Sequence, residues 1–153
     1  MKLLLILVAV FVCVATVKCC KEQLESGLAV PFYYGHSNLS CTKGKGKNKG
    51  KRSLNTVSTT RLVHRFVYYC GYYFEWIDEG VDPFGTSPLG RNCNPEIYSE
   101  PAGYSRVKLE CAKNCAKKFS RNFQYHMLNN NCHHFANTMA SFLDRSDGEC
   151  CNN

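Results

Sequence analysis

Arg61-Leu62-Val63-His64-Arg65-Phe66-Val67-Tyr68-Tyr69-Cys70-Gly71-Tyr72-Tyr73-Phe74-Glu75-Trp76-Ile77 is the stretch that decides the fold. Two runs dominated by Val, Tyr and Phe, Arg61–Tyr69 and Tyr72–Ile77, flank Cys70-Gly71. β-Branched and aromatic side chains suit a pleated, half-buried surface, and a two-residue turn ending in Gly closes a hairpin. Strand alternation puts Leu62, His64, Phe66 and Tyr68 on one face and turns Arg65 to the other. His64 therefore sits in an apolar row, either as a core histidine or as a base presented from a rigid platform.

Downstream, Asp78 to Pro101 is rich in Gly, Pro, Asn and Asp and reads as loop. Val107, Cys111, Cys115 and Phe119 recur every four residues, so 107–119 reads as a helix with both cysteines on one face, each an anchor for a bridge to another element. Phe123 to Leu128 reads as a short strand. Asn129-Asn130-Asn131 breaks it and supplies an N-cap for a last helix beginning near Cys132, with Phe135, Met139, Phe142 and Leu143 as its apolar stripe. Upstream, Leu24 to Cys41 holds Pro31 and Gly35 and reads as irregular, with one short strand. The expected class is α+β: a small antiparallel sheet packed on helices and reinforced by disulfides.

The N-terminus carries a different signal. Met1-Lys2 is a basic start, Leu3 to Val14 an uncharged apolar run, and Ala15 to Lys18 a permissive cleavage region. That is the layout of a secretory signal, 1–19, cut somewhere from 15 to 19, and the run is too short to span a bilayer. Export makes disulfides the first reading of the 11 cysteines. Cys20, Cys41, Cys70, Cys93, Cys111, Cys115, Cys150 and Cys151 are the candidates, and the adjacent pairs Cys19-Cys20 and Cys150-Cys151 are expected to tie the ends to the body or to each other. Beyond the signal, the chain divides into an N-terminal segment, 20–60, and a core, 61–153, ending in a cysteine tail.

The net charge of +7 is concentrated in one place. Lys43, Lys45, Lys47, Lys49, Lys51 and Arg52 alternate with Gly and Asn, a run that cannot bury anything and reads as a mobile loop, 43–52. It is either a solvated loop, a contact for an anionic glycan or membrane surface, or a processing site after Lys51-Arg52. Nucleic acid is not an expected partner, because no aromatic side chains interleave with the lysines. Asn38-Leu39-Ser40 fits the N-glycosylation acceptor pattern at Asn38.

Chemistry concentrates on Cys132. The first turn of a helix has unpaired N–H groups and a favourable dipole for negative charge, which lowers a thiol's pKa and can hold an oxyanion. A thiol nucleophile also needs a base. Of His36, His64, His126, His133 and His134, His64 is the choice, since His133 and His134 lie too close in sequence to aim back at Cys132. Asn131, Gln124 and Tyr68 are candidates for orienting the base or assisting the oxyanion. No Cys-x-x-Cys or spaced His pair supports a metal site, and no cofactor is expected. Equally, Cys132 reads as a bridged cysteine and His64 as a satisfied core residue.

Tyr125 to Asn137, centred on Asn131-Cys132-His133-His134-Phe135 and running on to Ala140-Ser141-Phe142-Leu143, resembles the nucleophile motif of the PPPDE thiol peptidases. His64, Tyr73-Phe74-Glu75 and Pro83-Phe84-Gly85-Thr86-Ser87-Pro88-Leu89-Gly90 resemble that family's histidine strand, aromatic strand and glycine-proline loop. The Asn-Cys-x-His-Phe pattern is also similar to the lecithin–retinol acyltransferase group. The resemblance covers about 85 residues, from Arg61 to Arg145. It implies a permuted papain-like fold, with Cys132 as nucleophile and His64 as base acting on an amide, ester or thioester in a protein conjugate, peptide or lipid acyl substrate. The alternative is an inactive, disulfide-rich secreted binding protein, toxin- or effector-like, engaging an anionic partner. Fold is inherited more readily than substrate.

Overall fold

The computed structural model describes residues 18–38, 63–77, 81–89, 95–126, 128–145 and 150–151. Residues 1–17 of the signal-like start, the basic run 43–52, Cys41 and Cys93 lie outside the described residues. The chain is α+β. Six strands, β1 (Val30–Asn38), β2 (Val63–Tyr69), β3 (Tyr72–Phe74), β4 (Phe84–Gly85), β5 (Glu96–Ile97) and β6 (Gly103–Ser105), form one antiparallel sheet in the order β4-β3-β2-β1-β5, with β6 also paired to β1. Helix α1 spans 18–25, α2 spans Leu109–Asn122 and α3 spans Cys132–Leu143.

The hairpin turns at Cys70-Gly71, where both residues have positive φ (51° and 80°), as a two-residue turn of this hand requires. The register follows: Tyr69 faces Tyr72, Tyr68 faces Tyr73, and Val67 faces Phe74. The stretch expected to be irregular instead holds β1, nine residues long and in the middle of the sheet. Pro31 and Gly35 argue against a strand by propensity alone. Context overrides this: Pro31 pairs with Tyr104 of the short strand β6, and Gly35 faces Phe66, whose ring a Cβ at Gly35 would strike. The segment expected to be loop also gives up two-residue strands, β4 and β5, to the two sides of the sheet. Conversely, the described residues of Phe123 to Leu128 form no strand: His126 makes an isolated bridge to Asn130, and Phe123 is exposed.

One face of the sheet packs on α2 and α3. Phe32, Val67, Tyr69 and Phe74 meet Ala112, Ala116, Phe135, Ala136, Met139 and Leu143. Trp76 sits among the rings of Phe119, Tyr125 and Phe135, with centroids 5.2 to 6.3 Å away. Among the described residues three disulfides staple this layer: Cys20–Cys70 joins α1 to the hairpin turn, while Cys111–Cys150 and Cys115–Cys151 join α2 to the C-terminal tail. No helix among the described residues is long and apolar enough to cross a membrane.

Candidate active site

The two-residue turn fixes more than the hairpin. In such a turn the closing pair, Tyr69 and Tyr72, exchanges backbone hydrogen bonds. Tyr69, Val67, Arg65 and Val63 therefore direct their N–H and C=O groups toward the β3 edge. The β3 ladder ends at Phe74, so Arg65 and Val63 have no strand partner on that side. The start of α3 docks there instead. His133 donates from Nε2 to the Val63 carbonyl at 2.9 Å, and the Arg65 backbone hydrogen-bonds to the Cys132 sulfur. Farther along α3, Asn137 Oδ1 accepts from Arg65 at 3.3 Å and from Tyr34 at 3.5 Å, with the Arg65 guanidinium over the Tyr34 ring.

Asn131 caps α3. Its extended backbone (φ −126°, ψ −176°) and its side-chain oxygen, which accepts from the His133 and His134 N–H groups at 3.0 and 3.2 Å, set the helix to begin at Cys132. The opposite face of the sheet carries a buried polar row. Alternation from the observed register puts Ser37, His64 and Glu75 on the face away from α2 and α3, with Ser37 directly across from His64. His64 is 0% exposed, and Ser37, Glu75 and Cys132 are each 2% exposed.

His64 donates from Nε2 to Glu75 Oε2 at 2.9 Å. The other carboxylate oxygen accepts the Leu89 N–H at 2.7 Å, and the Glu75 N–H donates to the Pro83 carbonyl at 3.0 Å. The glycine-proline loop thus holds Glu75, and Glu75 holds the ring. That leaves Nδ1 as the nitrogen available to a thiol. Burial alone would lower the His64 pKa. Hydrogen bonding and charge from Cys132 and Glu75 outweigh it and push the ring up to about 9. Burial would likewise raise the Cys132 thiol. His64, the backbone groups of Arg65 and His133, and the His64 charge outweigh it, and the thiol lies below its ordinary value. The coupling is therefore toward thiolate and imidazolium. Nδ1 nevertheless has no aligned hydrogen-bond partner. Contacts between nucleophile and base are often loose in a resting site.

Cys132 and His64 are thus brought together, and Cys132 is a free thiol. Glu75 holds the His64 ring; of the other candidates, Gln124 is exposed and the Tyr68 ring lies tilted against that of Tyr73 at 5.0 Å. Sequence reasoning passed over Glu75. Its signal was a lone carboxylate in the aromatic run Tyr72 to Ile77, which the Cys70-Gly71 turn places diagonally from His64. Asn131 serves as the cap. His126 and His134 are exposed, and His36 lies 3.8 Å from Glu96. Asn38 is exposed at the end of β1. Among the described residues no cluster of three or more His, Cys, Asp or Glu is arranged to hold a metal ion. No protein family, curated protein or solved structure matches the chain.

Proposed function

We propose that this protein is a secreted thiol hydrolase or acyltransferase of the permuted papain-like kind, related to the PPPDE peptidases. The single observation that carries the reading is a free thiol at the capped start of α3, coupled to a buried histidine that a buried carboxylate holds by its far nitrogen. Cys132 attacks the carbonyl carbon of an amide, ester or thioester. His64 passes the proton from the sulfur to the leaving group, and Glu75 keeps Nε2–H fixed so that Nδ1 does this work. The Arg65 and His133 backbone groups beside the sulfur supply positive dipoles where negative charge develops. Order in the chain supports the permuted reading: the histidine strand precedes the cysteine helix. Three disulfides support an oxidising compartment.

A specific observation favours a second reading. Cys132 is 2% exposed, which suits a binding protein on an enzyme-derived scaffold as well as an enzyme with a narrow approach. The test is iodoacetamide labelling of the unreduced protein from about pH 5 to about pH 9, with the labelled cysteine located by peptide mass spectrometry. Labelling of Cys132, told apart by its peptide from the free and exposed Cys19, already fast below an ordinary thiol pKa of ~8.5 and slowed by His64→Ala, is the expected result. An inert Cys132 would leave the binding reading.

A further inference from the structure

Four polar or charged side chains among the described residues are buried: Ser37, His64, Glu75 and Ser105. Three of them have partners. His64 and Glu75 bond each other, and Ser105 accepts the Val107 N–H at 3.1 Å. Ser37 has none, although its hydroxyl is fully enclosed. Leaving a buried hydroxyl unpaired is destabilising, and alanine at the same place in a strand would avoid that cost. The position is not arbitrary. Ser37 pairs directly with His64 across β1 and β2, so the two side chains project from the same face with Cβ atoms about 5 Å apart. His64 Nδ1 is the other buried polar atom on that face without an aligned partner. A water molecule between the two side chains would give Ser37 Oγ the hydrogen-bond partner it lacks and would stand beside the ring that serves as base.

We infer that Ser37 holds the water that hydrolyses the acyl-enzyme on Cys132, which makes the protein a hydrolase in preference to a transferase. The inference rests on the functional reading above. In the step, the water oxygen attacks the thioester carbonyl carbon while one water proton passes to His64 Nδ1. The carbon–sulfur bond then breaks. Sulfur leaves as thiolate beside the imidazolium, the second proton stays on the released carboxylic acid, and the resting pair is restored. Ser37 takes no part in acylation, because the nucleophile there is the sulfur.

The probe is p-nitrophenyl acetate, with p-nitrophenol release followed through the burst and into steady state and the acetyl adduct on Cys132 tracked by mass spectrometry. Ser37→Ala should leave the burst rate within about twofold, lower steady-state turnover about tenfold, the equivalent of one lost hydrogen bond, and accumulate acetylated Cys132. Ser37→Thr, which keeps a hydroxyl, should restore turnover. Hydroxylamine, which deacylates without the held water, should release the adduct from both proteins at similar rates. Ser37→Gly gives the same readout should the alanine variant fail to fold. A wild-type burst with no change in Ser37→Ala overturns the inference alone, and so does an equal slowing of both phases. A wild-type protein with no burst and no adduct overturns the functional reading and this inference with it.

Discussion

Helices α2 and α3 share one core against one sheet, and each carries sulfur near its start, yet the sulfurs have opposite fates. Cys111 is the third residue of α2 and is bridged to Cys150, with Cys115 one turn on bridged to Cys151. Cys132 is the first residue of α3 and is free. Position at a helix start does not explain the difference, since both helices offer it. The surroundings do. The α2 start has no side-chain cap, while Asn131 satisfies two N–H groups of α3 and aims its first residue at the unpaired edge of β2. There the sulfur meets His64. A buried base, and not the helix end alone, separates a candidate nucleophile from a staple.

The sharpest way to break this comparison is to remove one sulfur at a time. Cys132→Ala should abolish esterase turnover, a loss of more than about 10³-fold, while Cys111→Ser with Cys150→Ser should leave the labelling of Cys132 unchanged. Steady-state kinetics on the first variant and iodoacetamide labelling of the second decide it. Removing the base comes next: His64→Ala should lower turnover by about 10²-fold or more, and Glu75→Gln should shift the alkaline limb of the pH–rate profile downward from about 9 by releasing the ring. The staples should weigh on stability instead. Closing a loop between residues 20 and 70, a separation of 50, contributes roughly 4 kcal/mol in the chain-entropy account, so Cys20→Ser with Cys70→Ser should lower the denaturation midpoint accordingly.

Protonation offers a finer test. The His64 pKa is raised from 6.5 to about 9, so taken alone its stabilisation is complete below 6.5 and lost as pH rises toward about 9. The Cys132 pKa is lowered from 9.0, so its stabilisation is complete above 9.0 and lost as pH falls through the lowered value. Where the folded pair is thiolate–imidazolium and the unfolded pair is thiol–imidazole, both bind one proton and the two slopes cancel. Denaturant midpoints measured across pH should show the pair's contribution flat over that overlap, which ends on its alkaline side at about 9, and Cys132→Ala should replace it with the fall toward alkaline pH that His64 gives alone. The smallest expected effect belongs to the cap: Asn131→Ala should cost about 1 kcal/mol in thermal unfolding.

What could be read from the sequence was what depends on local chemistry. The Cys70-Gly71 turn, the Asn131 cap, the apolar stripe of α3 and the four-residue spacing of Cys111 and Cys115 each follow from neighbours in the chain, and each is present in the fold. Meeting of Cys132 with His64 was legible only as a choice among five histidines. What escaped depends on distant partners. β1 holds a proline and a glycine that weaken any local strand signal, and the ring of Phe66 supplies the reason for the glycine. Glu75 declares itself only when the hairpin register is followed one residue past β3. Ser37 becomes notable only when β1 is laid beside β2.

The placement of β1 also bears on what a protease could do to this protein. Residues 32 to 38 of β1 pair one for one with residues 63 to 69 of β2, and the Cys20–Cys70 bridge crosses the same divide. A cut after Lys51-Arg52 would sever the backbone without separating the pieces. The product would be a two-chain protein, light and heavy, held by a disulfide and a shared sheet, with Ser37 on one chain and Cys132, His64 and Glu75 on the other.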